Sequence, residues 1–282
     1  MKENACFDTL VERLIGCDPV EAIGLGGSRA TGKADIHSDY DLYVYVTEEM
    51  PLEIRKQRFD GLFRIMEYDN MFWEREDDGI FKDGIPIDIL YRRIEDLDRT
   101  LEPVVTGHQP YNAYTTCMWN NLLNTKILFD RSGRLTQLKQ KYDIPYPEEL
   151  KKNIIKRHQA LLFDGLPNYA GQLRKAIGRK DLPAMNHRAA AFLETYFDLL
   201  FALNKTTHPG EKRMVQEAKK LAVVPEHFEQ DLEAFFSHLY TDPQKAAADL
   251  DRIEQKMKKI LNEVQIVPGL DHPEDVRALF EE

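Results

Sequence analysis

The stretch that decides the fold is GGSRA at residues 26–30, followed after a loop by SDYDLYVYV at residues 38–46. Residues 40–46 alternate and are rich in β-branched and aromatic side chains, which predicts a strand. Residues 20–25 predict a short buried strand that runs into the two glycines. The sequence therefore places a glycine turn between two strands, the second of which opens with acidic residues.

The acidic residues of this stretch are Asp39 and Asp41, two positions apart at the start of the second strand. Side chains at i and i+2 share one face of a strand, so both carboxylates point the same way while Leu42 and Val44 point into a core. Two carboxylates ~4 Å apart repel by about 4 kcal/mol at an effective dielectric near 20. A divalent cation removes that repulsion, and carboxylates with water and phosphate are the usual ligands of Mg²⁺.

A third carboxylate, Asp88, lies in the apolar segment GIPIDIL at residues 84–90. A carboxylate is costly in a buried apolar strand unless it has a partner. If this strand pairs beside residues 40–46, three carboxylates converge and can hold two cations ~3.5–4 Å apart.

The glycine turn suggests a phosphate site. Without a Cβ atom the backbone at Gly27 can approach a phosphate closely, and the Ser28 hydroxyl and successive N–H groups can donate hydrogen bonds to it. Alone, Gly-Gly-Ser is also compatible with a plain turn. The acidic strand that follows it, and the later Asp88, favour the phosphate interpretation.

Residues 26–46, GGSRATGKADIHSDYDLYVYV, resemble the signature of DNA polymerase β-type nucleotidyltransferases, in which Gly-[Gly/Ser]-Ser is followed by Asp-x-Asp. The pattern is most similar to bacterial aminoglycoside- and lincosamide-type nucleotidyltransferases and their uncharacterised relatives. The resemblance covers residues 23–46 and 85–90, and it is looser in the rest of the chain. It implies a pol β-like fold with a mixed sheet.

The resemblance also implies roles for individual residues. Asp39 and Asp41 would hold both metals, and Asp88 would bind the metal at the attacking oxygen and act as general base. Gly27 and Ser28 would hold the triphosphate. For Arg29 two interpretations stay open, a contact with phosphate or a pair with a local acid such as Asp35. His37 is interpreted as a surface residue.

The chain is predicted to be an α+β protein with two domains. Residues 1–145 form the nucleotidyltransferase domain, and residues 146–282 form an all-helical bundle domain that covers substrate and nucleotide. Pro145 and Pro147 flank the boundary. Helices are predicted at 7–15, 52–66, 94–105, 111–123, 148–163, 169–177, 184–203, 211–221, 225–240 and 243–264. Further strands are predicted at 71–76, 80–81, 85–91 and 126–129.

Two pairs of residues in the helical half are candidates for binding. Lys212 and Arg213 open a predicted helix, where cations oppose the helix dipole, so a bound triphosphate would improve the site. The alternative is a solvated turn. Glu194 and Asp198 are one turn apart in an apolar helix and either line a cleft that holds a cationic acceptor or face solvent.

The composition and charge of the chain limit the classes of function that it can have. Hydrophobic residues make up 43% of the 282 residues and charged residues 30%, which is typical of a soluble globular protein. A net charge of −10 and no basic stripe argue against a long nucleic-acid partner. We expect no membrane span, no secretory signal, three reduced cysteines and a cytoplasmic location. Trp73 and Trp119 are interpreted as core residues.

These features predict transfer of a nucleoside monophosphate from a nucleoside triphosphate, expected to be ATP, to a hydroxyl of a small-molecule acceptor. Two Mg²⁺ ions would assist, and pyrophosphate would leave. Alternatives are nucleotidylation of a protein target, as in toxin–antitoxin pairs, and a non-catalytic nucleotide-binding regulator on the same fold. The base, the acceptor and the oligomeric state stay open.

Overall fold

The computed structural model describes residues 4–35 and 38–263, so His37 and the final residue of the predicted helix 243–264 lie outside the described residues. The chain forms two compact units. Residues 1–102 and 118–144 form the first unit, and residues 103–117 and 145–282 form the second.

The first unit combines strands with helices, which confirms the predicted mixture. Its elements, with α4 continuing into residues of the second unit, are α1 Ala5–Ile15, β1 Val20–Leu25, α2 Gly27–Ala30, β2 Tyr40–Val46, α3 Leu52–Phe59, β3 Phe63–Asn70, β4 Glu76–Phe81, β5 Pro86–Arg92, α4 Ile94–Val105, α5 Cys117–Asn124, β6 Lys126–Asp130 and α6 Arg134–Tyr142.

The strands form one six-stranded sheet with the order β3-β4-β5-β2-β1-β6. The pair β2 and β5 is parallel, and the other neighbours are antiparallel. Leu42 and Val44 are fully buried in the same apolar core as Leu10 and Leu14 of α1. Because side chains alternate along a strand, the odd-numbered residues of β2 face the other side of the sheet.

The second unit is helical throughout its described elements. They are α7 Glu148–Gln159, a π-helical turn Ala160–Asp164, α8 Tyr169–Arg179, α9 Leu182–Leu203, α10 Met214–Ala218, α11 Phe228–Leu239 and α12 Pro243–Glu263. Side-chain oxygens of Asn168 and Asp181 cap α8 and α9 by accepting from backbone N–H groups. The last turns of α9 are buried all round, so this helix forms the centre of the unit's core.

The segment 103–117 belongs to the second unit, although the sequence analysis assigned it to the first domain. Its backbone and side chains bond to that unit's helices. Asn153 Nδ2 donates to the His108 carbonyl at 3.0 Å, and Arg157 donates to Asn112 Oδ1. These partners lie about 45 positions away in sequence, which explains why local patterns gave no sign of them.

Two predictions in the first half are wrong, the first of them because sheet pairing overrides local propensity. The predicted helix 52–66 ends at Phe59, and after Gly61, with φ +75°, the chain enters β3 and pairs with β4. The predicted strand 71–76 is mostly a loop. There Trp73 is 87% exposed, so its assignment to the core was wrong, whereas Trp119 is 1% exposed as predicted.

Three further helices start later than predicted, and one of them, predicted from residue 225, begins at Phe228. The helix predicted from residue 111 begins at Cys117, since residues 111–116 belong to the segment held by the second unit. The helix predicted from residue 211 begins at Met214, after Arg213 with φ +60°. Within residues 4–35 and 38–263, every helix is too short or too polar to cross a bilayer.

Candidate active site

The pairing of β2 with β5 sets two of the candidate carboxylates side by side. The parallel register aligns Asp41 with Asp88, and both side chains are partly buried. Directly opposed residues on neighbouring strands face the same side of a sheet. Asp39 lies one residue before β2, and its charge acts on Asp88. The three acids, which come from two separate segments of the sequence, therefore lie in one region of the sheet.

The electrostatic surroundings of Asp88 are unfavourable to its charge. Burial, followed by the charges of Asp78, Asp39, Asp41 and Glu76, raises the pKa of Asp88 to about 6. Each of these causes opposes ionisation of Asp88. A cation close to Asp88 would have the opposite effect and would favour its ionised form.

The donor chemistry fits a magnesium ion. Carboxylate oxygens from Asp39, Asp41 and Asp88, with water and phosphate completing the shell, are the ligands that Mg²⁺ takes in nucleotide enzymes. As they stand, no three His, Cys, Asp or Glu side chains in the described part of the chain are close enough together to hold a metal ion.

The glycine turn packs directly on Asp41. The Gly26 N–H donates to the Asp41 carbonyl at 2.8 Å, which ties the turn to β2. Gly27 has φ +60°, and a Cβ atom there would overlap the Asp41 carboxylate. Only glycine satisfies both conditions without strain. The exposed backbone of Gly27 and the partly exposed Ser28 thus lie beside the acids.

Arg29 has a role that neither sequence interpretation described. Its Nε donates to the Asp39 carbonyl at 2.8 Å and its Nη2 to the Ser38 carbonyl at 2.5 Å. Its guanidinium also lies 4.0 Å from the centroid of the Tyr40 ring. These contacts fix the backbone that leads into β2, so Arg29 positions Asp39 and Asp41.

Sequence reasoning missed two acids on β4. Asp78 aligns with Asp88 in the antiparallel register, and Asn70 Nδ2 donates to Asp78 at 2.8 Å. Glu76, two residues earlier, lies on the same face, and burial together with Asp78 raises its pKa. The signal was the alternation of Glu76 and Asp78, which the misplaced strand boundary at residue 76 concealed.

The basic candidates of the second unit lie in the stretch between α9 and α10. Lys212 and Arg213 are both exposed there, and Arg213 precedes the first residue of α10 with left-handed backbone. Their contact with a triphosphate stays a prediction. Glu194 on α9 is partly exposed, and its contact with an acceptor also stays a prediction.

Asp198 differs from both sequence interpretations because it is buried, with 1% exposure. It accepts hydrogen bonds from the Thr115 N–H at 3.0 Å, the Thr115 hydroxyl at 2.7 Å and His158 Nε2 at 2.7 Å. Burial opposes its ionisation, but the bonds from His158 and Thr115 outweigh burial and lower the pKa of Asp198. This acid holds the segment 103–117 in its unit.

A cavity of about 670 Å³ lies elsewhere in the first unit, at the carboxyl ends of β2 and β5. Two of the arginines that line it pair with carboxylates: Arg92 forms two 2.7 Å bonds to Glu74, and Arg75 bonds to Glu49 at 2.6 Å. The cavity is at the opposite end of these strands from Asp41 and Asp88 and is not part of the candidate site.

Comparisons with known proteins give distant likenesses. A family model described as a domain of unknown function, DUF4037, matches residues 115–214, which include Thr115, Asp198 and His208. No curated protein is significantly similar in sequence. The chain is similar, at 13% identity and TM-score 0.40, to a nucleotidyltransferase-like protein from Exiguobacterium sibiricum, with 92% of this chain and 78% of that chain covered.

Two other solved structures are similar at 13% identity. An aminoglycoside 6-adenyltransferase from Bacillus subtilis has a TM-score of 0.33, with 98% of each chain covered. A CCA-adding enzyme in complex with CTP has a TM-score of 0.24, with 99% of this chain and 90% of that chain covered.

Proposed function

We propose that this chain is a magnesium-dependent nucleotidyltransferase. It moves a nucleoside monophosphate, expected to come from ATP, to a hydroxyl of a small-molecule acceptor and releases pyrophosphate. The observation that carries the proposal is the register of β2 and β5, which aligns Asp41 with Asp88 while Gly27 packs on Asp41. A glycine turn beside a group of acids supports this reaction, which needs a site for the triphosphate and carboxylate ligands for its metals.

The residues divide the work between binding and proton transfer. Gly27 and Ser28 bind the triphosphate through backbone N–H groups and the hydroxyl. Asp39, Asp41 and Asp88 would hold two Mg²⁺ ions, which would supply the positive charge that the triphosphate and the acceptor oxygen need. Asp88 takes the hydroxyl proton, since its carboxylate lies on β5 directly beside the metal ligand Asp41. The acceptor oxygen bonds to the α-phosphorus as the bond to pyrophosphate breaks.

The charge around the site favours a cationic acceptor. Glu76 and Asp78 extend the acidic face from β5 to β4, and the whole chain has a net charge of −10. A field of this sign attracts cations and disfavours a nucleic-acid backbone. Amine-bearing small molecules, including aminoglycosides, are therefore the first acceptors to test.

The test is transfer from α-labelled nucleoside triphosphates, supplied one base at a time with Mg²⁺, to aminoglycosides, lincosamides and cell lysate. We expect Asp41→Asn to keep the fold and to lower turnover by at least about 10³-fold, because the metals lose a ligand that touches the reacting phosphate. Asp18→Asn, an exposed acid of the same unit, is the matched control and should keep full activity.

Wild-type turnover in Asp41→Asn would disprove the proposal. Metal-dependent nucleotide binding without label transfer to any acceptor tried, and without pyrophosphate release, would also disprove it. That is the behaviour of a nucleotide-binding regulator. Label in a lysate protein alone would move the acceptor from a small molecule to a protein.

A further inference from the structure

Tyr43 lies beneath the glycine turn of the candidate active site. It follows Asp41 by two positions on β2, so both side chains lie on the same face of the sheet. A Cβ atom at Gly26 would overlap the phenol oxygen and ring of Tyr43. The backbone of the turn therefore packs directly on this phenol, and the position of the phenol sets the position of the turn above the sheet.

The phenol itself is fixed by a helix that is distant in sequence. Asn121 on α5 donates from Nδ2 to the Tyr43 hydroxyl at 2.6 Å, across 78 positions of sequence. Arg92, held by Glu74, lies 4.3 Å from the centroid of the Tyr43 ring. Tyr43 is 5% exposed, so it has no free volume in which to change rotamer.

We propose that Asn121 and Tyr43 are positioning residues that hold the glycine turn in the position where Gly27 packs on the Asp41 carboxylate. The proposal rests on the proposed function, since it assigns the seat of the triphosphate to that turn. Neither side chain is required to touch substrate. Both act through the backbone of Gly26, whose N–H bonds the Asp41 carbonyl.

The same helix supports the turn at a second point. Thr125 directly follows α5, and a Cβ atom at Gly24 in β1 would lie 2.5 Å from its methyl group. The Thr125 hydroxyl donates to the Asn121 carbonyl at 2.7 Å, which ties this contact to the same helical turn. A shift of α5 would therefore move β1 and the glycine turn together.

The consequence is a defined binding phenotype. A loosened phenol lets the turn move relative to Asp41, which lowers triphosphate affinity without removing any group that binds it. We expect Tyr43→Phe, which keeps the ring but loses the hydroxyl, and Asn121→Ala each to weaken binding by about tenfold, a typical loss for a buried hydrogen bond. The double variant should lose no more than either single variant, since both remove one bond.

The experiment is calorimetric titration of the full chain with Mg²⁺ and two probes, α,β-methylene-ATP and inorganic tripolyphosphate. Tripolyphosphate reports on the turn whichever base the protein prefers. Asn124→Ala is the matched control, because Asn124 is exposed on the same helix and bonds only within it at 2.9 and 3.0 Å in the described residues. Thermal unfolding of each variant shows that the chain is folded.

The supporting result is an equal loss of affinity for both probes in the two single variants and the double variant, with Asn124→Ala unchanged. Losses that multiply in the double variant, or single losses below twofold, would overturn the positioning role while leaving the proposed function intact. If the wild-type chain binds neither probe with Mg²⁺, the proposed function fails instead, so the two failures are distinguishable.

Discussion

Asp88 in the sheet and Asp198 in α9 are both acids in apolar stretches of sequence, but their surroundings shift the pKa in opposite directions. Asp198 is fully buried and receives three hydrogen bonds, from Thr115 and His158, which lower its pKa despite burial. Asp88 is only partly buried, yet burial and neighbouring acids raise its pKa to about 6. The more buried acid is satisfied within the protein, and the less buried acid is not.

The difference separates an acid that stabilises the fold from one that is available for chemistry. A buried carboxylate whose ionised form accepts several hydrogen bonds from the protein contributes to stability. A carboxylate surrounded by Asp41, Asp78 and other acids costs stability until a cation binds. Burial alone therefore does not identify a candidate functional acid. The neighbouring groups do, according to whether they stabilise or oppose its ionised form.

The largest expected effect concerns Asp198. We expect Asp198→Asn to lower the free energy of unfolding by about 3 kcal/mol, because it removes the buried charge that accepts hydrogen bonds from Thr115 and His158. Urea unfolding measures it. Asp251→Asn is the control in the same unit, since its bond to Arg174 is half exposed and should contribute under about 1 kcal/mol. Equal small losses in both variants would show that Asp198 is not a structural acid.

The next effect concerns His208, which is fully buried. Burial lowers its pKa from 6.5 to about 4, and its Nδ1 accepts from the Gly210 N–H at 3.0 Å. The unfolded chain therefore binds a proton between these two pKa values that the folded chain does not, so stability falls as the pH falls below about 6.5.

From pH 7.5 to pH 5 this histidine should account for a loss of about 2 kcal/mol in the free energy of unfolding. In His208→Asn, whose side-chain oxygen can still accept from Gly210, that part of the pH dependence should vanish. Urea unfolding of both proteins at the two pH values gives the comparison. The same loss in the variant and the wild type would contradict the assignment to His208.

Local pattern predicted much of the sheet. The bounds of β1 and β2 match the sequence analysis, and so do those of α4, because alternation and helical spacing in those segments were unambiguous. The edge hairpin was not predictable in this way. Residues 63–66 have helix-compatible spacing, and only pairing with β4 makes them a strand.

The residues of the candidate site also fall into two groups, those that the sequence predicted and those that it did not. Asp39, Asp41 and Asp88 stood out because acids are unusual beside buried strands. The partners of Asp198 could not be predicted, since His158 is 40 positions away and Thr115 is 83. Asn121 was equally hidden, because no local signal links it to Tyr43. Non-local hydrogen bonds are the part of the site that sequence spacing does not encode.

The central claim is that Asp88 belongs to a cation site, and thermal unfolding of Asp88→Asn at pH 7.5 tests it most directly. The folded pKa of Asp88 lies above its usual value, so its ionised form opposes folding at this pH. In metal-free buffer we expect the variant to be at least as stable as the wild type, by up to about 1 kcal/mol after solvent screening. Added Mg²⁺ should raise the Tm of the wild type by more than that of the variant, which keeps Asp39 and Asp41 but has lost one carboxylate ligand. A variant less stable than the wild type without metal, or an equal rise in Tm for both proteins with Mg²⁺, would contradict the account.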